Sequence, residues 1–151
     1  TFIGALGDDA LAAGARSIAQ SEGIDARVAT IADAATGTAG ILVDARGRNS
    51  IVVALGANAR LSTAHVDAQA DAFRDAGVVL APLESPLDAV LAAMRRGRLA
   101  GARTILNPAP VHAALDAAAL SDVDLLTPNE TEFTALLSGL AGASVDPSTL
   151  R

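Results

Sequence analysis

The chain has 151 residues, of which 51% are hydrophobic and 19% are charged, and it contains no cysteine. This length suits one domain that buries roughly 70% of its unfolded surface, and the high apolar content excludes intrinsic disorder. Without cysteine, disulfides and cysteine-ligated zinc sites are impossible, and the two histidines make a poor transition-metal site. No apolar run reaches the roughly 20 residues of a membrane helix, and the first residues lack a signal-peptide layout. We therefore expect a cytoplasmic protein without a membrane partner.

The charge balance argues against nucleic acid as a partner. Seventeen acidic residues outnumber 11 basic residues, all of them arginine, and the formal net charge is −6. Phosphate-backbone binding needs a clustered positive face. Arg95, Arg96 and Arg98 form a short basic cluster, but it fits the cationic last turn of a helix that ends at Gly101.

Hydrophobic pattern and turn residues predict strands that alternate with helices along most of the chain. The predicted strands cover residues 1–6, 26–31, 38–44, 49–55, 78–83, 104–106 and 124–127. The predicted helices cover residues 10–21, 62–76, 86–99, 111–120 and 129–138. This order predicts an α/β fold with a parallel sheet and helices packed over its faces. The run 38–55 interrupts the alternation and reads as a hairpin that projects from the sheet.

Several local signals set the predicted boundaries. Ser62 is expected to cap one helix, and Ser85 with Pro86 at the first helical position is expected to start another. The continuous apolar run 78–83 is typical of a strand buried on both faces.

The two ends of the chain fall within predicted elements. Thr1 opens directly in a strand-like segment, and Asp146 or Ser148 would cap a helix for which no residues follow. We therefore expect residues 1–151 to form the central part of one larger domain.

Polar side chains follow several predicted strands, at the edge where parallel sheets bind ligands. They are Asp8 and Asp9 after the first strand, Glu84, Asn107, and Asn129 with Glu132. Each has a structural alternative. Asp8 and Asp9 can simply cap a helix, Asn107 can hold a turn beside Pro108, and Glu84 can be an ordinary loop residue.

Asn129 and Glu132 suit a nucleotide–magnesium site. A helix N-terminus offers backbone N–H groups to phosphate, and a carboxylate one turn along can hold Mg²⁺ through water. The same spacing also forms a capping box, so both interpretations stay open. His65 and His112 have no evident partner, and we expect them to be structural or exposed.

Short segments in a fixed order resemble a known family. They are Ala5-Leu-Gly-Asp-Asp9, Ser21-Glu-Gly-Ile-Asp25, Gly56-Ala-Asn58, Leu83-Glu-Ser-Pro-Leu87, Ile105-Leu-Asn-Pro-Ala-Pro110 and Leu126-Thr-Pro-Asn-Glu-Thr-Glu132. Together they span essentially the whole chain. The chain resembles the ribokinase-like, phosphofructokinase B family of carbohydrate kinases, and the ribokinases within that family.

The resemblance implies a three-layer α/β sandwich with a small β lid, and transfer of the ATP γ-phosphoryl group to D-ribose, giving D-ribose 5-phosphate, with Mg²⁺. By the same resemblance, Glu84 contacts the sugar and Asn107 lies in the same cleft. Asn129 binds the nucleotide and Glu132 lies at the magnesium. The hairpin 38–55 belongs to the lid, with Val53 facing the sugar, and the whole protein is expected to form a homodimer through the lid.

The resemblance also implies that parts of the machinery lie outside this chain. The family's sugar-binding aspartate and Gly-Gly motif would precede Thr1. The Gly-Ala-Gly-Asp motif with the catalytic aspartate and anion hole, and the K⁺ site, would follow Arg151. No Gly-x-Gly-Asp occurs here, so no catalytic residue is assigned and residues 1–151 alone are expected to be inactive. The alternatives are a kinase of another sugar or of a nucleoside, and a non-catalytic sugar-binding or regulatory module.

Overall fold

A computed structural model describes residues 1–141 of the chain, so the expected caps Asp146 and Ser148 lie outside the described residues. The strands are β1 (Phe2–Gly7), β2 (Ala26–Ile31), β3 (Thr38–Val43), β4 (Asn49–Ala54), β5 (Val78–Pro82), β6 (Arg103–Asn107) and β7 (Leu125–Leu126). The α-helices are α1 (Ala10–Ser21), α2 (Thr63–Ala68), α3 (Ala70–Phe73), α4 (Leu87–Leu99) and α5 (Glu130–Ala141). Two 3₁₀ helices cover Gly56–Arg60 and Ala119–Asp122. Within residues 1–141, no helix is long and apolar enough to cross a membrane.

The strands confirm an α/β fold, but they form three separate hydrogen-bonded groups. β1 pairs with β2 in parallel, and β5, β6 and β7 form a parallel sheet in that order. β3 and β4 pair antiparallel as the predicted hairpin. The expected parallel sheet is therefore present as two parallel groups among the described residues.

Two hydrophobic clusters hold these groups, and α4 contributes to both. Ala89 packs in a cluster with Ala5 of β1 and with residues of the 3₁₀ helix, α2 and α3. Val90, the next residue, packs in a second cluster with Leu106 of β6 and Leu136 of α5. Because successive residues of a helix point about 100° apart, α4 presents a different face to each cluster.

A cavity of about 600 Å³ is lined by residues of both β1 and β5. The lining includes Phe2 and Ile3 of β1 and all of β5, Val78–Pro82. Among the described residues, β1 and β5 each have one hydrogen-bonded neighbour, so each has one edge without a strand partner. The prediction that the 78–83 strand is buried on both faces is therefore wrong here: Val78 is 55% exposed and Leu80 is 66% exposed.

Two predicted helices differ from the structure. The 62–76 helix breaks at Gln69 into α2 and α3 and ends at Phe73, although Ser62 does cap it by accepting from the His65 N–H. Residues 111–120 form turns, and a 3₁₀ helix begins only at Ala119. In this segment the His112 ring accepts a hydrogen bond from the Ala114 N–H, and the Asp116 carboxylate accepts one from the Ala119 N–H. These side chains therefore occupy backbone N–H groups that an α-helix would pair with backbone carbonyls.

The start of α4 also differs from the prediction. Pro86 is the N-cap residue with ψ of 132°, not the first helical residue, and Ser85 makes no capping bond. Asp88 in the first turn accepts from the Ala89 N–H instead. The C-terminal end agrees with the prediction, since Gly101 has a φ of 81° and follows the last turn.

The basic cluster at the end of α4 is paired with aspartates. Arg96 contacts Asp67 at 2.6 Å, and Arg98 contacts Asp124 at 2.9 Å. Asp124 also accepts from the backbone N–H and hydroxyl of Thr104, a fully buried residue of β6. The hydrogen bond from the Thr104 N–H, and to a smaller extent the one from its hydroxyl, holds the pKa of Asp124 below its usual value. These ion pairs connect the end of α4 to α2 and to the residue that precedes β7.

A close approach at Gly97 gives a stability prediction. A Cβ at Gly97 would lie 2.7 Å from Cγ2 of Val79 and 3.0 Å from its Cβ, so α4 could not stay seated on β5. We expect Gly97→Ala to lower the free energy of unfolding by about 1–3 kcal/mol. Gly14→Ala in α1 is the matched control: nothing lies within 4 Å of its Cβ, and the change should stabilise by about 0.5–1 kcal/mol. Urea unfolding of both variants checks the difference, and equal effects would contradict the close approach.

Candidate functional site

The carboxyl ends of β5, β6 and β7 bring three of the predicted polar groups to one edge. Pro82 at the end of β5 is in register with Asn107, the last residue of β6, and Leu106 is in register with Leu126 of β7. Glu84 follows β5 by two residues, and Asn129 follows Leu126 by three. Because the three strands are parallel, these polar side chains belong to the same edge of the sheet.

Backbone hydrogen bonds continue beyond the ends of the strands. The Leu83 N–H donates to the Ala109 carbonyl at 3.1 Å, and the Thr127 N–H donates to the Leu106 carbonyl at 3.1 Å. Leu83 and Pro108 are buried beneath this edge. The loops that carry the polar residues are therefore fixed to the sheet, and we call this region the strand-end site.

Glu84 and Asn107 keep their polar groups available. Glu84 is exposed and Asn107 is partly buried. Neither side chain has a hydrogen-bond or ion-pair partner within residues 1–141. Leu83 is only 7% exposed, so the buried neighbour fixes the backbone from which the Glu84 carboxylate projects. Such groups can accept and donate hydrogen bonds to a polyol without first breaking an internal bond.

Asn129 and Glu132 form a reciprocal pair at the start of α5. The Glu132 N–H donates to Oδ1 of Asn129 at 2.9 Å, and the Asn129 N–H donates to Oε2 of Glu132 at 2.8 Å. Asn129 Nδ2 also donates to Oε1 of Glu132 at 2.9 Å. The capping-box interpretation is confirmed, and it fixes the rotamers of both side chains.

The pair is compatible with a magnesium role but does not form a complete ion cage. Within residues 1–141, no group of three or more acidic, histidine or cysteine side chains could hold a metal. Mg²⁺ commonly uses one or two carboxylates and completes its octahedron with water and substrate phosphates. Each Glu132 oxygen accepts one hydrogen bond and has a further lone pair, so the residue fits that mode.

The remaining site candidates belong to other segments of the chain. Val53 is on the exposed hairpin and is 49% exposed. Asp9 is the N-cap of α1, as predicted, and follows β1 in the other parallel group. Nε2 of His65 lies 3.1 Å from the Arg27 carbonyl, and His112 belongs to the turn described above, so both histidines have structural partners.

The sequence did not predict the partner of Asp9. Its carboxylate accepts from the N–H and the hydroxyl of Thr36, both at 2.7 Å. The Thr36 hydroxyl also accepts from the Gly7 N–H at 3.0 Å. Thr36 lies 27 residues away in the connection that leads into the hairpin, and no local spacing relates the two positions.

Comparison with known proteins decides the family. The pfkB family carbohydrate kinase profile matches residues 1–146. The chain belongs to the pfkB family of carbohydrate kinases. A ribokinase of Staphylococcus aureus is 39% identical over 141 residues, which cover 93% of this chain and 46% of that protein. The family predicted from the six sequence segments is confirmed.

Solved structures agree with the fold. A ribokinase from Giardia lamblia superposes with a TM-score of 0.81 at 31% identity, over 93% of this chain and 44% of that chain. Arabidopsis thaliana ribokinase complexed with ribose and ATP gives a TM-score of 0.66 at 30% identity, over 93% and 45%. The ribokinase-like fold is confirmed, and the chain spans less than half the length of these relatives.

Proposed function

We propose that the protein containing this chain is an ATP-dependent ribokinase that converts D-ribose to D-ribose 5-phosphate in the cytoplasm. The observation that carries this proposal is the strand-end site. Its polar groups on one edge of a parallel sheet are the Glu84 carboxylate and the Asn107 carboxamide, both unpartnered within residues 1–141, and the fixed Asn129–Glu132 pair. Similarity to ribokinases, one of them solved with ribose and ATP, supports this choice of substrates.

The sugar is assigned to Glu84 and Asn107. A carboxylate without an internal partner can accept hydrogen bonds from two adjacent hydroxyls, and a carboxamide can both donate and accept. Hydrogen bonds to a charged acceptor are stronger than neutral ones, so Glu84 supplies the larger share of orientation. Asn107 lies on the neighbouring strand, close enough in register to serve the same ligand.

The nucleotide is assigned to the start of α5. The first turn of this helix presents backbone N–H groups, and Asn129 offers a carboxamide beside them. Mg²⁺, when bound with ATP, neutralises charge on the transferring phosphoryl group. Glu132 would hold the ion through its waters, with a carboxylate that the capping box already orients. The K⁺ site is assigned to no residue of this chain.

The hairpin is proposed as a lid over the sugar, and as the surface through which two copies associate. Every residue of β3 and β4 is exposed, including Ile41, Leu42, Ile51 and Val52. An apolar ribbon of this kind gains stability by covering a ligand or a second copy. Val53 is assigned to the sugar-facing side.

The first prediction compares the whole protein with residues 1–151. We expect the whole protein to release ADP from ATP and Mg²⁺ in the presence of ribose. Residues 1–151 alone should not, because they lack a Gly-x-Gly-Asp segment for the anion hole and base. They should also self-associate through the unpaired edges of β1 and β5. A coupled ADP assay and light scattering measure both properties. Ribose-dependent turnover by a monodisperse form of residues 1–151 would contradict this assignment.

The second prediction separates the magnesium role of Glu132 from capping. Glu132→Gln removes the charge but can still accept from the Asn129 N–H. We expect kcat/KM to fall by more than about tenfold and the Mg²⁺ requirement to rise, since metal stabilisation contributes several kcal/mol. Glu130→Gln is the matched control, because it removes the same charge from the same helical turn. Titration of turnover with Mg²⁺ distinguishes them, and equal behaviour of the two variants would leave Glu132 with capping alone.

The third prediction concerns sugar affinity. Glu84 has no side-chain partner within residues 1–141, so Glu84→Ala should leave the unfolding temperature unchanged. The Glu84→Ala variant should bind ribose roughly tenfold or more weakly, since a hydrogen bond to a charged group contributes about 1.5–3 kcal/mol. Glu22→Ala, which removes an exposed carboxylate after α1, is the control for charge. Calorimetry with ribose and with ATP should show a change for ribose only, and equal ribose affinity would refute the role.

A further inference from the structure

The hairpin is attached to the rest of the molecule through a small set of contacts at its base. We define the lid root as residues 34–37, which lead into β3, and residues 55–58, which leave β4. No residue of β3 or β4 belongs to either hydrophobic cluster, and all of them are exposed. The direction of the hairpin relative to the body is therefore set at the lid root.

The two halves of the lid root are packed closely against each other. The Ala57 N–H donates to the Ala35 carbonyl at 2.8 Å. Gly56 has a φ of 50°, and a Cβ there would lie 2.3 Å from the Ala35 oxygen. A Cβ at Gly37 would lie 2.7 Å from the Leu55 oxygen. Side chains are thus excluded from this contact, and movement of one half of the root displaces the other.

Asp9 joins this root to the body of the protein. Its Oδ1 accepts from the Ala12 N–H of α1 at 2.9 Å and from the Thr36 hydroxyl at 2.7 Å. Its Oδ2 accepts from the Thr36 N–H at 2.7 Å. The Thr36 hydroxyl accepts in turn from Gly7 at the end of β1. Capping of α1 requires only the bond from the Ala12 N–H. The two bonds from Thr36 connect Asp9 to the lid root.

We infer that Asp9 is a positioning residue for the sugar, acting through Thr36 to fix the lid hairpin over the strand-end site. The effect of Asp9 on the sugar rests on the proposed function, whereas the attachment of the hairpin through Asp9 and Thr36 does not. The hydrogen bond from the Thr36 N–H holds the pKa of the Asp9 carboxyl below its usual value, so the carboxylate is charged when it accepts these bonds. Charge-assisted bonds of this kind are stronger than neutral ones.

Three variants of the whole protein separate capping from lid attachment. Asp9→Ser keeps an N-cap oxygen for Ala12 but is too short, with one oxygen, to serve Thr36 as well. Thr36→Val removes the hydroxyl and leaves the cap intact. Thr38→Val is the control, since Thr38 is exposed two residues along and its side chain makes no hydrogen bond among the described residues.

Hydrogen exchange is the first measurement, and it needs no substrate. In Asp9→Ser and Thr36→Val, the amides of the lid root and hairpin should exchange about tenfold faster, while those of α1 keep their protection. Thr38→Val should match the wild-type protein. Unchanged exchange at the lid root in both variants, or equal loss of protection in α1, would overturn the inference. If Asp9→Ser does not fold, Thr36→Val decides alone.

Steady-state kinetics is the second measurement. Misplacing the lid should raise KM for ribose at least fivefold in both variants and leave KM for ATP within about twofold. Faster exchange with an unchanged KM for ribose would show attachment without sugar positioning, and would overturn the kinetic part. If the wild-type protein phosphorylates no sugar, the proposed function fails, while the exchange data still determine whether Asp9 fixes the lid.

Discussion

The close packing of α4 against the strands is the constraint on which the rest of the structure depends. The two parallel groups of strands share no hydrogen bond among the described residues, so side-chain packing must hold them together. Ala89 and Val90 of α4 enter the two clusters side by side. Gly97 lets the same helix approach Val79 and Thr104 within van der Waals distance. A helix held farther from the sheet would leave both clusters with gaps, which the close packing of protein interiors does not tolerate.

The strand-end site inherits its order from this packing of α4, whereas the hairpin of β3 and β4 does not. Backbone hydrogen bonds join the loop after β5 to the loop after β6, and the loop after β7 to β6 itself. Glu84 and Asn107 are therefore held without using their own polar groups within residues 1–141. The hairpin has no such layer beneath it among the described residues, since every residue of β3 and β4 is exposed. Its base is held by close glycine contacts between residues 34–37 and 55–58 and by the hydrogen bonds between Asp9 and Thr36.

Much of the fold could be predicted because the informative signals are local. Asp9, Ser62 and Gly101 end or begin elements through bonds within a few residues, and the structure agrees with each. The failures have a different origin. Residues 111–120 are rich in alanine, yet His112 and Asp116 take the N–H groups that would propagate a helix. The burial of the 78–83 strand depends on which strand lies beside it, and that information is not in the strand itself.

The Asn129–Glu132 pair shows why part of the site could be predicted only as alternatives. The spacing i, i+3 serves a capping box and a nucleotide site equally well, and the structure confirms the first. The two roles are compatible, because a capping box holds the carboxylate in one rotamer before any ion arrives. A flexible glutamate would lose side-chain entropy on binding, at a cost of about 1–2 kcal/mol. A pre-oriented glutamate loses that entropy during folding, so the hydrogen bonds that stabilise α5 would also favour the proposed magnesium role of Glu132.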